Sequence, residues 1–216
     1  MAEKFHIELQ GLRRETLEMA HLGRDMLQSA IDALIRQDPD LAESVITRKE
    51  DIRQMEVRLE EHCYHLIALN QPMAKDMRFI ACTLKVINAS LRIGRYGKTI
   101  AKIAKEISDK PPIANLMSIP HMADLVIDMV NDAIAAYESD NLTLVDGFSA
   151  RDDAVDALRH SIFRQGITYM MEDPKNISRC THYIMIARYL ERCADHACKI
   201  AENVHYLETG ERIEIK

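Results

Sequence analysis

Apolar residues recur every three or four positions along nearly the whole chain, the mark of amphipathic helices. The clearest stretch is 183–207, where Ile186, Leu190, Cys193, Ala197, Ile200, Val204 and Leu207 trace one stripe and Gly210 ends it. Five further stretches have the same period. The first covers 5–37, with Leu12, Met19, Met26, Ala30 and Ala33 on one side. Asp38-Pro39-Asp40 breaks it, and either acid can cap a second helix over 40–69. After Asn70-Gln71-Pro72 comes a third over 73–107, with Gly94 and Gly97 inside it. Glycine weakens a helix interior by roughly 1 kcal/mol against alanine, so the pair points to a close helix contact.

Three of the six prolines fall in 109–120, which reads as a linker. Helices over about 120–138, 142–172 and 176–208 follow. The predicted fold is all-α, two tandem antiparallel three-helix bundles. The first repeat covers 1–108, the linker 109–120, the second repeat 121–208, and 209–216 is a tail that reads as loose chain or an edge contact. The halves are related by duplication. Asp32-Ala33 matches Asp132-Ala133 and Ile100-Ala101 matches Ile200-Ala201 at an offset of 100. Ile52, Met55, Leu59 and Leu66 match Val155, Leu158, Ile162 and Tyr169 at an offset of 103. A slip of one residue in this second helix would pair Asp152 with Glu50; 103 keeps the apolar positions aligned.

Composition narrows the function. A net charge of −6 argues against a nucleic-acid binder led by phosphate contacts. No apolar run approaches the ~18–20 residues that cross a bilayer, and no signal-peptide core stands at the N-terminus. A cytoplasmic location is expected. Cys63, Cys82, Cys180, Cys193 and Cys198 form no C-x-x-C and read as reduced thiols in a helical core. No nucleophile–base pair or phosphate-cradling glycine loop stands out, so the chain reads as an adaptor rather than an enzyme.

The candidate chemistry is carboxylate. Glu191 and Asp195 are four apart, one turn along one helix face. Such like charges cost a helix roughly 0.2–0.5 kcal/mol, which a bridging hard cation would relieve. Asp152 and Asp156 repeat the spacing on the preceding helix. The duplication replaces these acids in the first half: Lys49 and Arg53 stand for Asp152 and Asp156, Leu91 and Arg95 for Glu191 and Asp195, and Arg24 for Asp124. Arg24, Lys49, Arg53 and Arg95 are therefore candidates for an anion site or for a face complementary to the acidic half of a second chain, against the alternative of solvated surface bases. Asp124 and Asp128 read as solvated acids, and His160, His182 and His196 have no ligand-like spacing.

The chain resembles the PhoU family of phosphate-uptake regulators over about 9–208. The carriers are Gln71-Pro72-Met73-Ala74-Lys75-Asp76-Met77-Arg78 and Leu91-Arg92-Ile93-Gly94 in the first half. In the second they are Ile186-Ala187-Arg188-Tyr189-Leu190-Glu191-Arg192-Cys193-Ala194-Asp195-His196-Ala197 and Ile200-Ala201-Glu202. The resemblance implies two three-helix bundles side by side in a cytoplasmic, usually oligomeric protein that restrains phosphate uptake. Its implied partners are the ATPase subunit of a phosphate ABC importer and a phosphate-sensing histidine kinase, with membrane contact only through them. It also implies metal at E-x-x-x-D motifs, here Glu191 and Asp195; Asp152 and Asp156 are placed in support of them on geometry, as the second acid pair on the adjacent helix. Leu91 and Arg95 break the motif in the first half, so one site per chain is expected, for a divalent or iron-type ion that the carboxylates do not specify. Two other readings stand beside it. One is a metal-free helical adaptor for another transporter. The other is a ferritin-like di-metal enzyme built on Glu18–His21 and Glu202–His205, although both strings lie off their helices' apolar stripes.

Overall fold

Six long amphipathic helices need partners for their apolar faces, and the computed structural model, which describes residues 2–215, shows how they find them. The elements are α1 (Ala2–Arg36), α2 (Pro39–Thr47), α3 (Lys49–Asn70), α4 (Ala74–Glu106), α5 (Ile119–Ser139), α6 (Phe148–Glu172) and α7 (Ile177–Thr209). No strand occurs among the described residues. Each half is a three-helix bundle, α1–α3–α4 and α5–α6–α7, with α2 packed on α1 and α4. Within the first half α3 runs against its neighbours: Arg58 reaches back to Glu15, and Ile52 sits over Gly23 and Gly94.

The expected single helix over 40–69 is two helices. Arg48, at φ −65° and ψ −6°, joins α2 to α3. Just before it the hydroxyls of Ser44 and Thr47 donate to the carbonyls of Leu41 and Ser44. Such back-bonding competes with the helical ladder and bends it. The second half departs in the same place. Its middle helix begins at Phe148, not near 142, because Asn141 caps a short 3₁₀ turn over Leu142–Val145 and Gly147 turns the chain at φ 76°. Asp38 caps α2 at the position equivalent to Asn141. Burial also supports the 103 offset, since Ile52 and Val155, and Leu59 and Ile162, are all fully buried.

The halves do not merely stand side by side. α4 packs along α7 and α1 packs on α5, so these four helices form one central layer with α3 and α6 outside it. α4 and α7 run antiparallel: Tyr96 stacks on Tyr189 and His196 mid-seam, Arg78 covers Tyr206 at one end, and Glu106 meets His182 at 3.7 Å at the other. Near the Arg78 end the buried hydroxyls of Thr83 and Tyr137 share a hydrogen bond of 2.7 Å across the halves. Arg13 lies over the Phe79 and Tyr137 rings and bonds Asp140 at 2.8 Å. The linker is pinned: Ile113 is buried and its N–H donates to Tyr183, while Gln37 donates to the carbonyls of Ser108 and Lys110. The tail is an edge contact, with Ile215 packed on the core and its N–H donating to Glu202.

The contact expected at Gly94 and Gly97 lies between the parallel helices α1 and α4, with Gly23 as a third member. A Cβ on Gly97 would stand 2.8 Å from the backbone of Met26 and Leu27, and one on Gly23 would stand 2.7 Å from the Ser90 carbonyl. Gly97→Ala therefore forces backbone apart, and a loss of about 1–3 kcal/mol in urea unfolding is expected. Gly11→Ala, where nothing lies within 4 Å of the added methyl, should instead gain about 0.5–1 kcal/mol in the same assay.

Candidate functional site

Packing of α6 on α7 brings the acids together. Val155 and Ile162 point α6 inward, and Leu190, Cys193, Ala194, Ala197 and Cys198 do the same for α7. Asp152 and Asp156 are left at the edge facing α7, and Glu191 and Asp195 at the edge facing α6. The charges act on one another. Burial raises the Asp152 carboxyl above its ordinary value, with Asp195, Asp156 and Asp153 adding to it, while the Cys198 thiol lowers it by hydrogen bonding. The same surroundings, burial first and then Asp152, Asp195 and Glu202, push the Cys198 thiol up to about 12. With no metal bound, burial and these carboxylates thus favour the neutral thiol.

Two arginines share this groove. Arg192 bonds Asp195 at 2.9 Å and lies 3.9 Å from Glu191. Arg159, from α6, stands 3.8 Å from Asp156 and 3.9 Å from Glu191. Glu191 is only 17% exposed, and its Oε2 accepts no hydrogen bond. A buried carboxylate oxygen without a donor is costly, and a hard cation would satisfy it. The donor set is thus chemically suited to such an ion, provided that Arg192 and Arg159 swing aside. Among the described residues no three His, Cys, Asp or Glu side chains are already gathered as a cation cage.

The first half carries the opposite charge in the equivalent groove between α3 and α4. Lys49, Arg95 and Lys102 all act on the half-buried Lys98, whose ammonium is shifted down first by burial and then by these three cations. Lys98 and Lys102, equivalent to Cys198 and Glu202, were missed in the sequence reading; the 100-residue offset would have found them. Arg53 is exposed and lies 3.8 Å from Glu50. Arg24 pairs with Asp25 at 2.9 Å and is not among the charges acting on Lys98.

Other residues fall out differently. Asp124 and Asp128 are exposed, and so are Glu18 and His21. Glu202 is not a plain surface acid: its side chain is 13% exposed, holds Lys199 at 2.8 Å and accepts from the tail. His196 is half-buried. It stacks on Tyr96, and burial lowers its pKa more than Asp195 raises it. All five cysteines are free and buried.

The fold and site together define an all-α protein of two duplicated three-helix bundles, with two oppositely charged grooves beside one seam. The comparisons give it a family. The model of the PhoU domain matches twice, over 16–104 and 119–204, and the chain belongs to the PhoU family. It is 36% identical over 207 residues to the phosphate-specific transport system accessory protein PhoU homolog of Caulobacter vibrioides, covering 95% of this chain and 90% of that one. The homolog of Aquifex aeolicus is also 36% identical, covering 96% and 94%. The crystal structure of PhoU from Pseudomonas aeruginosa superposes with a TM-score of 0.91 at 34% identity, over 96% of this chain and all of that one. A phosphate transport system regulatory protein PhoU from Streptococcus pneumoniae gives 0.88 at 27% identity, over 97% and 99%.

The raised Asp152 carboxyl sets a pH dependence. Between the ordinary value of 3.8 and the raised one, the folded chain holds a proton that the unfolded chain has released. Stability therefore falls as pH rises through that window, and the ionised carboxylate opposes folding at neutral pH. In chelating buffer, Asp152→Asn should raise the unfolding midpoint at pH 7, and its advantage should shrink as pH falls toward 3.8.

Proposed function

We propose that this chain is an accessory regulator of phosphate transport that restrains phosphate uptake and phosphate-starvation signalling. It acts by protein contact with the ATPase subunit of a phosphate importer of the ABC type and with a phosphate-sensing histidine kinase. The observation that carries this is the double family match across both repeats, with relatives described as phosphate transport accessory proteins over nearly their full length. No helix of the described residues is long and apolar enough to cross a membrane, which fits a protein that works in the cytoplasm and meets the membrane through its partners. Removing the chain from its cell should raise phosphate uptake in phosphate-replete medium, and returning it should lower uptake again. Unchanged uptake would sink the reading.

The acidic groove is the proposed cation site. Glu191 and Asp195 are its ligands and Asp152 and Asp156 support them, for a divalent or iron-type ion. Such an ion would supply positive charge that holds α6 and α7 together at the groove, and Glu191 Oε2, buried and without a donor, is the atom that calls for it. One specific contact favours a metal-free adaptor instead: Arg192 already holds Asp195 at 2.9 Å. Metal content by plasma mass spectrometry on untagged protein decides between them. Metal in the wild type that is lost in Glu191→Gln, Asp195→Asn is expected. A wild type still metal-free after reconstitution with Mn, Mg, Zn or Fe would leave the acids as interface charges.

A further inference from the structure

The groove between α3 and α4 gathers cations without gathering acids. Lys49 and Arg53 are one turn apart on α3, and Arg95, Lys98 and Lys102 follow at three- and four-residue spacing on one face of α4. Packing of α3 on α4, with Ile52 over Gly94, brings the two rows to one groove. Lys49, Arg53 and Lys102 are exposed; Arg95 and Lys98 are half-buried. Among the described residues, the only ion pair that any of the five makes is the 3.8 Å contact of Arg53 with exposed Glu50. Glu56, one turn further along the same face of α3, pairs with none of them. The acidic groove differs, because Arg159 and Arg192 already stand among its carboxylates. No side chain caps α3, which starts at Lys49, so the positive end of its dipole adds to the basic groove, and Glu50 and Asp51 in its first turn offset part of this. Freely solvated bases would be screened from one another, but Lys98 is not: burial and then Lys102, Lys49 and Arg95 disfavour its charge.

We propose that this groove binds a di- or triphosphate group, held by Lys49, Arg95, Lys98 and Lys102 with Arg53 at its edge. Phosphoryl oxygens accept from several donors at once: the lysine ammoniums act as point charges, and the Arg95 guanidinium offers a two-pronged contact. The extent of the cations sets the size of the ligand. From Arg95 to Lys102 they cover about 10 Å of helix axis at 1.5 Å per residue. A single phosphate matches one end of that row, whereas two or three linked phosphates match all of it. A nucleic-acid backbone fits less well, because its charge would run past the groove onto a chain of net charge −6. The group can come from free oligophosphate or from a nucleotide, and in either case the phosphates carry the binding. Tyr96, next to Arg95 in sequence, is already stacked on Tyr189 at the seam and offers a base no free ring. A bound oligophosphate relieves the repulsion around Lys98 and ties α3 to α4.

The test is titration calorimetry on untagged, metal-free protein in magnesium-free buffer at about 150 mM salt, so that no cation takes part. Tripolyphosphate should bind once per chain, at least about tenfold more tightly than orthophosphate or sulfate. Arg95→Gln and Lys98→Gln should each weaken it by about five- to tenfold, and Lys175→Gln, an exposed lysine of the other half, should not. Thermal unfolding separates a lost contact from a lost fold. Without ligand, Lys98→Gln should unfold at or above the wild-type temperature, because the substitution removes the repulsion. Tripolyphosphate should then raise the midpoint of wild type more than that of the variant. Lys102→Gln, at an exposed position, repeats the test without disturbing packing. ATP that binds as tightly as tripolyphosphate or more so assigns the group to a nucleotide, and weaker ATP assigns it to free oligophosphate; both outcomes uphold the site. A wild type that binds no tripolyphosphate overturns the proposal. So does orthophosphate or sulfate binding of equal strength, undiminished binding by Arg95→Gln and Lys98→Gln, or an equal loss in Lys175→Gln.

Discussion

The approach of α1 to α4 is the constraint on which the first half depends. At Gly23, Gly94 and Gly97 two backbones lie so close that a methyl group would meet main-chain atoms or the Ile52 side chain. Those glycines weaken each helix locally, and the contact they allow makes up for it by packing α1 flush against α4. That fit puts Ile52 of α3 into the angle between them and so sets where α3 lies. The edge of α3 then carries Lys49 and Arg53 to the face of Lys98. The second half solves the same problem with alanine. Ala123, Ala194 and Ala197 take the equivalent places and are all fully buried, so the α5–α7 crossing is built around a methyl group where its twin has none.

Much of this was legible in the sequence because it depends on period. Leu12, Met19, Met26, Ala30 and Ala33 are completely buried, as their spacing requires, and the stripe from Ile186 to Leu207 is buried throughout. What period cannot show is competition at helix ends. The break at Arg48 follows from two hydroxyls that turn back on their own helix. The late start of α6 follows from an asparagine cap and a left-handed glycine, and an apolar repeat runs through both without a mark. The acidic groove was legible in part, because i,i+4 spacing places two carboxylates on one face. Arg192 was legible too, three residues before Asp195 on the same helix, but Arg159 was not. Arg159 meets Glu191 only once α6 has docked on α7, a relation between helices that no single-helix pattern encodes.

Buried polar groups divide the molecule into rigid and responsive parts. The Thr83–Tyr137 bond and the linker's bond to Tyr183 are satisfied and enclosed, and they tie the halves at opposite ends of the seam. At the grooves the polar groups are only half enclosed, with a donorless oxygen on Glu191 and unrelieved repulsion around Asp152 and Lys98. Stability resides in the central four-helix layer, and the electrostatic tension lies where other molecules can reach it.

The duplication has a consequence for what such a surface can become. Two separate copies of a three-helix unit, paired about a symmetry axis, are encoded once and must show the same charge on both grooves. Any change from acid to base would appear twice. Joining the units through 109–120 gives each position two independent codons. Lys49 can then depart from Asp152, and Arg95 from Asp195, while Ile52 and Val155 go on serving the same packing role. A duplicated unit on one polypeptide can thus present a surface with two poles, which a symmetric pair of identical chains cannot.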